Sequence, residues 1–440
     1  MADCFHYDDG VLHCEGASLE KLDRTYGTPS YVYSRATFRT HLAGLKAAFA
    51  ALDPLVCYAV KTCGNIHLLS EVGASGAGAD VVSGGELYRA LSAGIPAERV
   101  VFAGVGKSDG ELREAVEAGI RSVNVESESE LSALGRIAAR AGRTVRAAVR
   151  VNPDVQSRGT PEKTTTGVRG SKFGVDLGQV PALFERAATL PQVALDGLHL
   201  HLGSPIHSPE PYVVALERIL ELTDKLRMAG HTVNSINMGG GFAAAYETGG
   251  APGWDAYAAA IVPVLAPFVA SGGQVIMEPG RTIAANAGAL LTRVRFIKQA
   301  GDRRVAVVDA GMNTLIRAAL YDSFHFLWPV RPCDGLVPPH RAGRLHLPGL
   351  IRYDIAGPIC ETTDYLARDR ELPPLAEGDL MCIFGAGAYG MAMASQYNAT
   401  PRPPEILVDE ERATLIRRRE TYADLIEAEL PPPSATSAAR

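Results

Sequence analysis

No run of the sequence is apolar for long enough to cross a bilayer, so a membrane is not an expected partner. Cysteine is sparse and odd in number. Cys4, Cys14, Cys57, Cys63, Cys333, Cys360 and Cys382 are scattered, with no CxxC pair and no histidine cluster at zinc spacing. This argues against a disulfide framework or a structural metal, and for reduced thiols in a cytoplasm. An excess of one charge is missing too: 43 Lys and Arg stand against 49 Asp and Glu, and the formal net charge of −6 is diffuse. The one basic block, Arg417-Arg418-Arg419, reads as the solvated side of a helix, so nucleic acid is not an expected partner either. Met1 to Asp9 has no basic stretch followed by an apolar one, so no secretory leader is expected. Residues 431–440, rich in Pro, Ser and Ala, read as a disordered tail.

What is present is a long alternating pattern. At 440 residues two domains are the better expectation. From about Leu52 to Arg281, short apolar runs alternate with amphipathic stretches rich in Ala, Leu, Glu and Arg, the pattern of successive strand–helix units. The strands are expected at Val56–Lys61, Gly78–Ser83, Val100–Ala103, Ser122–Val125, Arg146–Val151, Leu195–His201, Ser235–Met238 and Gln274–Glu278. Eight such runs suggest a closed (β/α)8 barrel. A doubly wound open sheet is the alternative, but no dinucleotide fingerprint follows the first strand; Lys61-Thr62-Cys63-Gly64-Asn65 stands there instead. Beyond Arg281 come β-branched runs such as Leu290–Ile297, Arg304–Asp309 and Leu380–Phe384, broken by Pro and Gly. The expected organisation is an N-terminal segment, 1–35, that joins the β domain, a barrel over 36–285, a β domain over 286–430, and the tail.

Several residues on these elements carry chemistry. Lys61 closes the apolar run Val56-Cys57-Tyr58-Ala59-Val60, and would stand on the barrel rim where such enzymes keep their sites. Desolvation favours the neutral amine, which condenses with aldehydes; on its own, a lysine at a strand end is more often a surface residue. Glu278 closes Gln274-Val275-Ile276-Met277 on the same rim. An amine with an acid partner for a pyridine nitrogen is the pairing pyridoxal phosphate needs. Alternation places His199 and His201 on one strand face, where an imidazole can stack on a flat ring and Ser204 can reach a phosphate. A zinc pair or a core histidine is the bland alternative. Gly239-Gly240-Gly241 lets backbone N–H groups approach an anion, or simply supplies positive φ. Glu278-Pro279-Gly280-Arg281 sets a guanidinium beside the acid. Later, Cys360-Glu361 joins a thiol to a carboxylate, and Tyr389 sits in the glycine-rich Gly385–Gly390 stretch.

In this order, the segments resemble the fold-type III pyridoxal-phosphate decarboxylases, from Tyr31-Val32-Tyr33 to Tyr397-Asn398. Asp309-Ala310-Gly311-Met312-Asn313, Arg317-Ala318-Ala319-Leu320-Tyr321, Cys360-Glu361-Thr362 and Ala388-Tyr389-Gly390 are most similar to the diaminopimelate-decarboxylating branch. The resemblance implies Lys61 as Schiff-base lysine, Asp80 close to it, His201 stacked on the ring and Glu278 at the pyridine nitrogen. It places Ser204, Gly239, Gly240, Gly241, Gly280, Arg281 and Tyr389 around the phosphate. It implies Cys360 as the proton donor, acting in the other subunit of a homodimer with composite sites, and Arg281, Arg317, Tyr321, Glu361 and Tyr389 as substrate contacts.

The function so implied is decarboxylation of meso-diaminopimelate, a small amino acid, to L-lysine. Two arginines suit its distal carboxylate and Glu361 its distal ammonium. The alternatives are a decarboxylase for another amino acid, a racemase, or a silent relative acting through protein contacts. Glu278 and Cys360 oppose racemisation. Ala318 where the family commonly has Pro, Pro205 in place of Gln, and Gln396 in place of Asn bear on the substrate rather than on the cofactor.

Overall fold

The computed structural model describes residues 3–155, 166–167 and 170–430; the tail expected at 431–440 lies outside them. Eight parallel strands span Leu55–Ala59, Gly78–Val81, Val100–Phe102, Ser122–Val125, Val145–Asn152, Val193–His199, Ser235–Asn237 and Gln274–Met277. Each pairs with the next. The last returns to the first through Ile276 opposite Leu55 and Met277 opposite Val56, which closes the barrel and rules out the open sheet. Apolar side chains on both faces explain the unbroken apolar runs: Cys57, Val101 and Ile276 cluster within the buried core.

The connecting helices start where a side chain can take over an unpaired backbone N–H. Ser83 accepts from the Glu86 amide, and Ser127 from that of Glu130. Ser108 and Glu111 form a reciprocal capping box. Gly119 and Gly142, both left-handed, end the helices Asp109–Ala118 and Glu128–Ala141.

Several strands stop earlier than their apolar runs suggest. Lys61 lies on a single 3-10 turn, Val60–Thr62, after the first strand. The reason is local: the Thr62 hydroxyl donates to the Ala59 carbonyl at 2.8 Å, drawing the chain into a turn. Glu278 lies one residue past the eighth strand, and His201 two past the sixth, so alternation along a strand does not relate His201 to His199.

The chain divides into a unit of Ala36–Ala287, containing the barrel, and one built of Cys4–Arg35 and the described residues from Gly288 on. In the second unit the long strand Gly288–Ala300 pairs antiparallel with Ser30–Ser34, with Arg303–Val308 and with Leu380–Ile383. Ser30–Ser34 in turn pairs parallel with Glu405–Asp409, so strands from both ends of the chain share one sheet. The Arg417–Arg419 block is not helical, contrary to its reading from sequence. Arg417 ends the strand Arg412–Arg417 and pairs with the buried Glu405, Arg418 is held by Asp424, and Arg419 donates to the carbonyls of Tyr26 and Pro29. Two carboxylates within about a dozen residues and two carbonyls near the other end of the chain take the donors of the block, and a charge run does not reveal them.

Gly78 opens the second strand where the neighbouring strand passes too close for a side chain. A Cβ there would lie 1.9 Å from the Arg99 carbonyl oxygen. Gly78→Ala should therefore destabilise the protein by roughly 1–3 kcal/mol, read as a lowered denaturation midpoint. A midpoint equal to that of the parent would show that the strand pair tolerates the methyl.

Candidate active site

At the C-terminal edge of the barrel strands, the residues singled out from sequence gather around two buried acids. Lys61 Nζ lies 3.2 Å from Asp80 Oδ2, with the lysine side chain about one third exposed and Asp80 fully buried. The other oxygen, Asp80 Oδ1, has no hydrogen-bond partner among the described residues. Burial pushes the Asp80 pKa up to about 7; the negative charge of Glu278 adds to the rise, and Lys61 opposes it.

Glu278 is equally buried but richer in donors. Asn237 Nδ2 donates to its Oε1 at 2.6 Å, Asn124 Nδ2 to the same oxygen at 3.4 Å, and His199 Nε2 lies 3.1 Å from Oε2. Burial raises the Glu278 pKa, but His199 and then Lys61 outweigh that effect and hold it down at about 2. His201 is pushed well below the usual histidine range, first by burial and then by the charges of Lys61 and Arg150. A neutral ring results, with its Nδ1 accepting from the Gly240 N–H at 3.3 Å.

The glycine loop is shaped from below. The Gly239 N–H donates to Asn237 Oδ1 at 3.0 Å, and a Cβ on Gly240 would meet the Glu278 carbonyl oxygen at 2.0 Å. Close backbone approach therefore demands glycine at 240, independently of any anion. Beside the loop, Arg281, mostly buried, donates from Nε to Ser204 Oγ and from Nη1 to the Tyr246 hydroxyl, each at 3.0 Å. Gly280 immediately precedes the short helix Arg281–Ala284.

The remaining residues lie in the β-rich unit and form two groups. Arg317 opens the short helix Arg317–Tyr321 and is buried; its Nη1 is 2.8 Å from His325 Nε2, while His325 Nδ1 is 2.9 Å from the Phe384 carbonyl. Nδ1 therefore donates and Nε2 accepts. Tyr321, half-buried, ends the same helix. In the other group Cys360 and Glu361 are exposed at a loop tip. The Cys360 N–H donates to Asn398 Oδ1 at 3.0 Å, and the Tyr397 hydroxyl donates to the Glu361 carboxylate. That bond is the first cause of an upward shift in the Tyr397 pKa. Tyr389 has a φ of 57°, a left-handed conformation that costs a tyrosine of order 1 kcal/mol and marks a constrained position.

Sequence reading singled out His199 only as half of a histidine pair, not as a partner of Glu278, and missed other residues that hold these groups in place. Asn237, Tyr246, His325 and Asn398 carry no signal of that role in any local motif. Arg150 and Glu126 were missed as well. They form a buried pair at 3.0 Å, and Glu126 also accepts the N–H groups of Gly104 and Gly174. Their one signal is charge inside apolar strand runs. No group of three or more His, Cys, Asp or Glu among the described residues is placed to hold a metal, and no described helix is long and apolar enough to cross a membrane.

This donor set fits pyridoxal phosphate: an amine beside a buried carboxyl with an unpartnered oxygen, an ionised acid, a neutral imidazole, and a hydroxyl–guanidinium pair beside a glycine loop. Barrel and site thus define a class of enzymes that work through a cofactor aldehyde carried on a lysine. The comparisons narrow the class. Residues 35–285 match the family model "Pyridoxal-dependent decarboxylase, pyridoxal binding domain". A diaminopimelate decarboxylase of Aquifex aeolicus is 42% identical over 424 residues, covering 96% of this chain and 97% of that protein. One from Pseudomonas aeruginosa is 42% identical over 427 residues, covering 97% and 99%. The crystal structure of diaminopimelate decarboxylase from Helicobacter pylori complexed with L-lysine superposes with a TM-score of 0.86 at 34% identity, covering 93% of this chain and 99% of that one. The chain belongs to the pyridoxal-dependent decarboxylases, in the diaminopimelate decarboxylase branch.

The opposed shifts of Asp80 and Glu278 give a pH signature to the cofactor-free protein. Asp80 titrates higher folded than at its ordinary value of 3.8, so the native state holds the extra proton between about pH 4 and about pH 7. Its contribution to stability is complete below that window and is lost as pH rises through it. The Glu278 shift runs the other way but acts only below its ordinary value of 4.5, outside most of the window. Asp80→Asn should flatten the fall in stability toward neutral pH, measured by denaturant unfolding at several pH values. A slope as steep in the variant as in the parent would remove Asp80 as its origin.

Proposed function

We propose that this chain decarboxylates meso-diaminopimelate to L-lysine and CO2. The observation that carries the substrate reading is the Glu361 carboxylate, exposed at the loop tip beside Cys360 and oriented by Tyr397, together with the buried guanidinium of Arg317. An acid and a guanidinium answer the ammonium and carboxylate of the substrate's distal centre, and both relatives compared over nearly the full chain carry this name.

When bound, the cofactor withdraws electrons from the substrate's α-carbon through its ring. The chain's own residues do the rest. Lys61 provides the amine that carries the cofactor, and Asp80 exchanges protons with it at Nζ. Glu278 would accept the hydrogen bond of the protonated ring nitrogen, His201 would cover the ring face, and Ser204, Arg281, Tyr389 and the backbone of Gly239–Gly241 and Gly280 would hold the phosphate. Arg281, Arg317, Tyr321, Glu361 and Tyr389 would fix the substrate so that the bond to its α-carboxylate is oriented for cleavage, which is orientation catalysis. The bond from the α-carbon to the carboxylate breaks, its electron pair stays on the α-carbon, and CO2 departs. Cys360 Sγ then delivers a proton to that carbon.

We further infer that Cys360 serves the site of a second copy, which makes the active form a homodimer with composite sites, and that the enzyme works in a cytoplasm. Seven cysteines, none of them in a disulfide, support a reducing compartment. We also take the N-terminal segment to be a working part of the β domain, because its strand Ser30–Ser34 lies inside that sheet.

Two experiments test these readings. CO2 release measured with meso-diaminopimelate, ornithine, lysine and arginine side by side should favour the first, and preference for any other would reject the substrate assignment. Cys360→Ala should cut turnover far more than cofactor affinity. Mixed with an inactive Lys61→Ala protein, it should regain activity, since a hybrid dimer holds one intact site. Absence of recovery in a proven hybrid would reject the shared site.

A further inference from the structure

We infer that His199 is a positioning residue that keeps the proton shared between Glu278 and the cofactor on the ring nitrogen rather than on the carboxylate. This rests on the reading of Glu278 as the acid facing that nitrogen. The geometry behind it is a carboxylate with 3% side-chain exposure against an imidazole with 1%. His199 Nε2 lies 3.1 Å from Oε2, and Nδ1 has no hydrogen-bond partner among the described residues. A carboxylate oxygen is an acceptor, so the ring hydrogen belongs on Nε2, where His199 donates. A second hydrogen on Nδ1 would face no acceptor in a buried site, a costly arrangement. The Nε2–H bond to Oε2 leaves the charge of Glu278 in place.

A donor to a carboxylate lowers that oxygen's appetite for a proton. With His199 on Oε2 and Asn237 and Asn124 on Oε1, Glu278 accepts three hydrogen bonds and still has lone-pair capacity for a fourth donor. That fourth donor is the ring N–H. Asp80, when ionised, pushes in the opposite direction, since two buried carboxylates raise each other's proton affinity, while Lys61 favours the ionised form of Glu278. Were His199 lost, the balance would shift toward a neutral Glu278 acid and an unprotonated ring nitrogen, a poorer electron sink. Asn237 also shapes the glycine loop through Gly239, so it serves two purposes at once; His199 touches only the acid among the hydrogen bonds described. It is thus the donor whose removal isolates the effect.

The test uses full-length protein, freed of cofactor and reconstituted with pyridoxal phosphate isotopically labelled at the ring nitrogen. Nitrogen NMR then reports the protonation of that atom directly. In His199→Leu the resonance should move toward its unprotonated position, with kcat lowered on the order of tenfold, the loss of one charge-assisted hydrogen bond, and KM little changed. His199→Gln, which restores an N–H donor of similar reach, should return both toward the parent. Should His199→Leu fail to hold cofactor, His199→Asn, too short to reach Oε2, carries the same expectation. A cofactor-bound variant without the donor whose ring nitrogen resonates as in the parent overturns the inference. Glu278→Gln separates the two layers. If it leaves the resonance unmoved, the reading of Glu278 itself fails; if it moves the resonance and His199→Leu does not, only the role of His199 falls.

Discussion

Closure of the barrel is the constraint from which the site follows. Met277 is opposite Val56, and the Ala59 N–H donates to the Pro279 carbonyl at 3.0 Å, so the chain just past the last strand is bonded to the end of the first. Lys61 and Glu278, remote in sequence, are thereby held on one rim. Parallel pairing gives a slanted ladder of evenly spaced bonds whose register a one-residue slip would invert, turning every inward side chain outward. The close passages at Gly78 and Gly240, where added side chains would meet backbone oxygens, leave little room for such slippage. The amine and the acid are thus fixed by the same hydrogen bonds that make the fold.

Within that frame, Asp80 and Glu278 show how equal burial gives opposite acidities. Both carboxyls are fully enclosed, and burial raises the proton affinity of each. Glu278 receives three donors and stays ionised, while Asp80 has Lys61 on one oxygen, an unpartnered second oxygen, and the field of Glu278 against it. Each charge makes the other costlier, so the donors decide which acid yields. Two adjacent carboxyls with separated proton affinities can divide the labour, one holding a fixed charge and the other trading protons with an amine.

The eight strands, their order and the barrel they form were legible because each strand is a short apolar run bounded by turn residues, with an amphipathic helix between. Strand ends were less so: the turn at Lys61 depends on a threonine hydroxyl competing for a carbonyl, which no apolar pattern records. The residues bearing reactive groups stand at visible breaks in the pattern. Their supports do not. His199 reads as half of a histidine pair, and Asn237 as the polar end of a three-residue strand; only the folded chain brings both to one carboxylate. His325 is likewise unremarkable in sequence, although it connects Arg317 to the carbonyl of Phe384. Arg417–Arg419 misled because a charge run looks solvated whether or not folded neighbours, carboxylate or carbonyl, take its donors.

The Cys360 loop raises a different problem, since the proton donor proposed there stands at an exposed tip and needs a rigid base. Asp364 supplies one. Its buried carboxylate accepts the Ile359 N–H at 2.7 Å and the Met312 N–H at 2.6 Å, and its carbonyl accepts from Gly357, so both ends of the loop and a neighbouring segment are tied to one residue. Asn398 adds a fourth restraint at the Cys360 amide itself. A charged acceptor shared by two backbone donors is stronger than two neutral bonds, and burial protects it from competition by water. Burial also raises the Asp364 pKa, which those same N–H groups oppose. The loop is therefore stiff in its backbone, with Glu361 held by the Tyr397 hydroxyl and the Cys360 side chain exposed at the tip, a division that lets a thiol on a loop be placed as accurately as a residue on a strand.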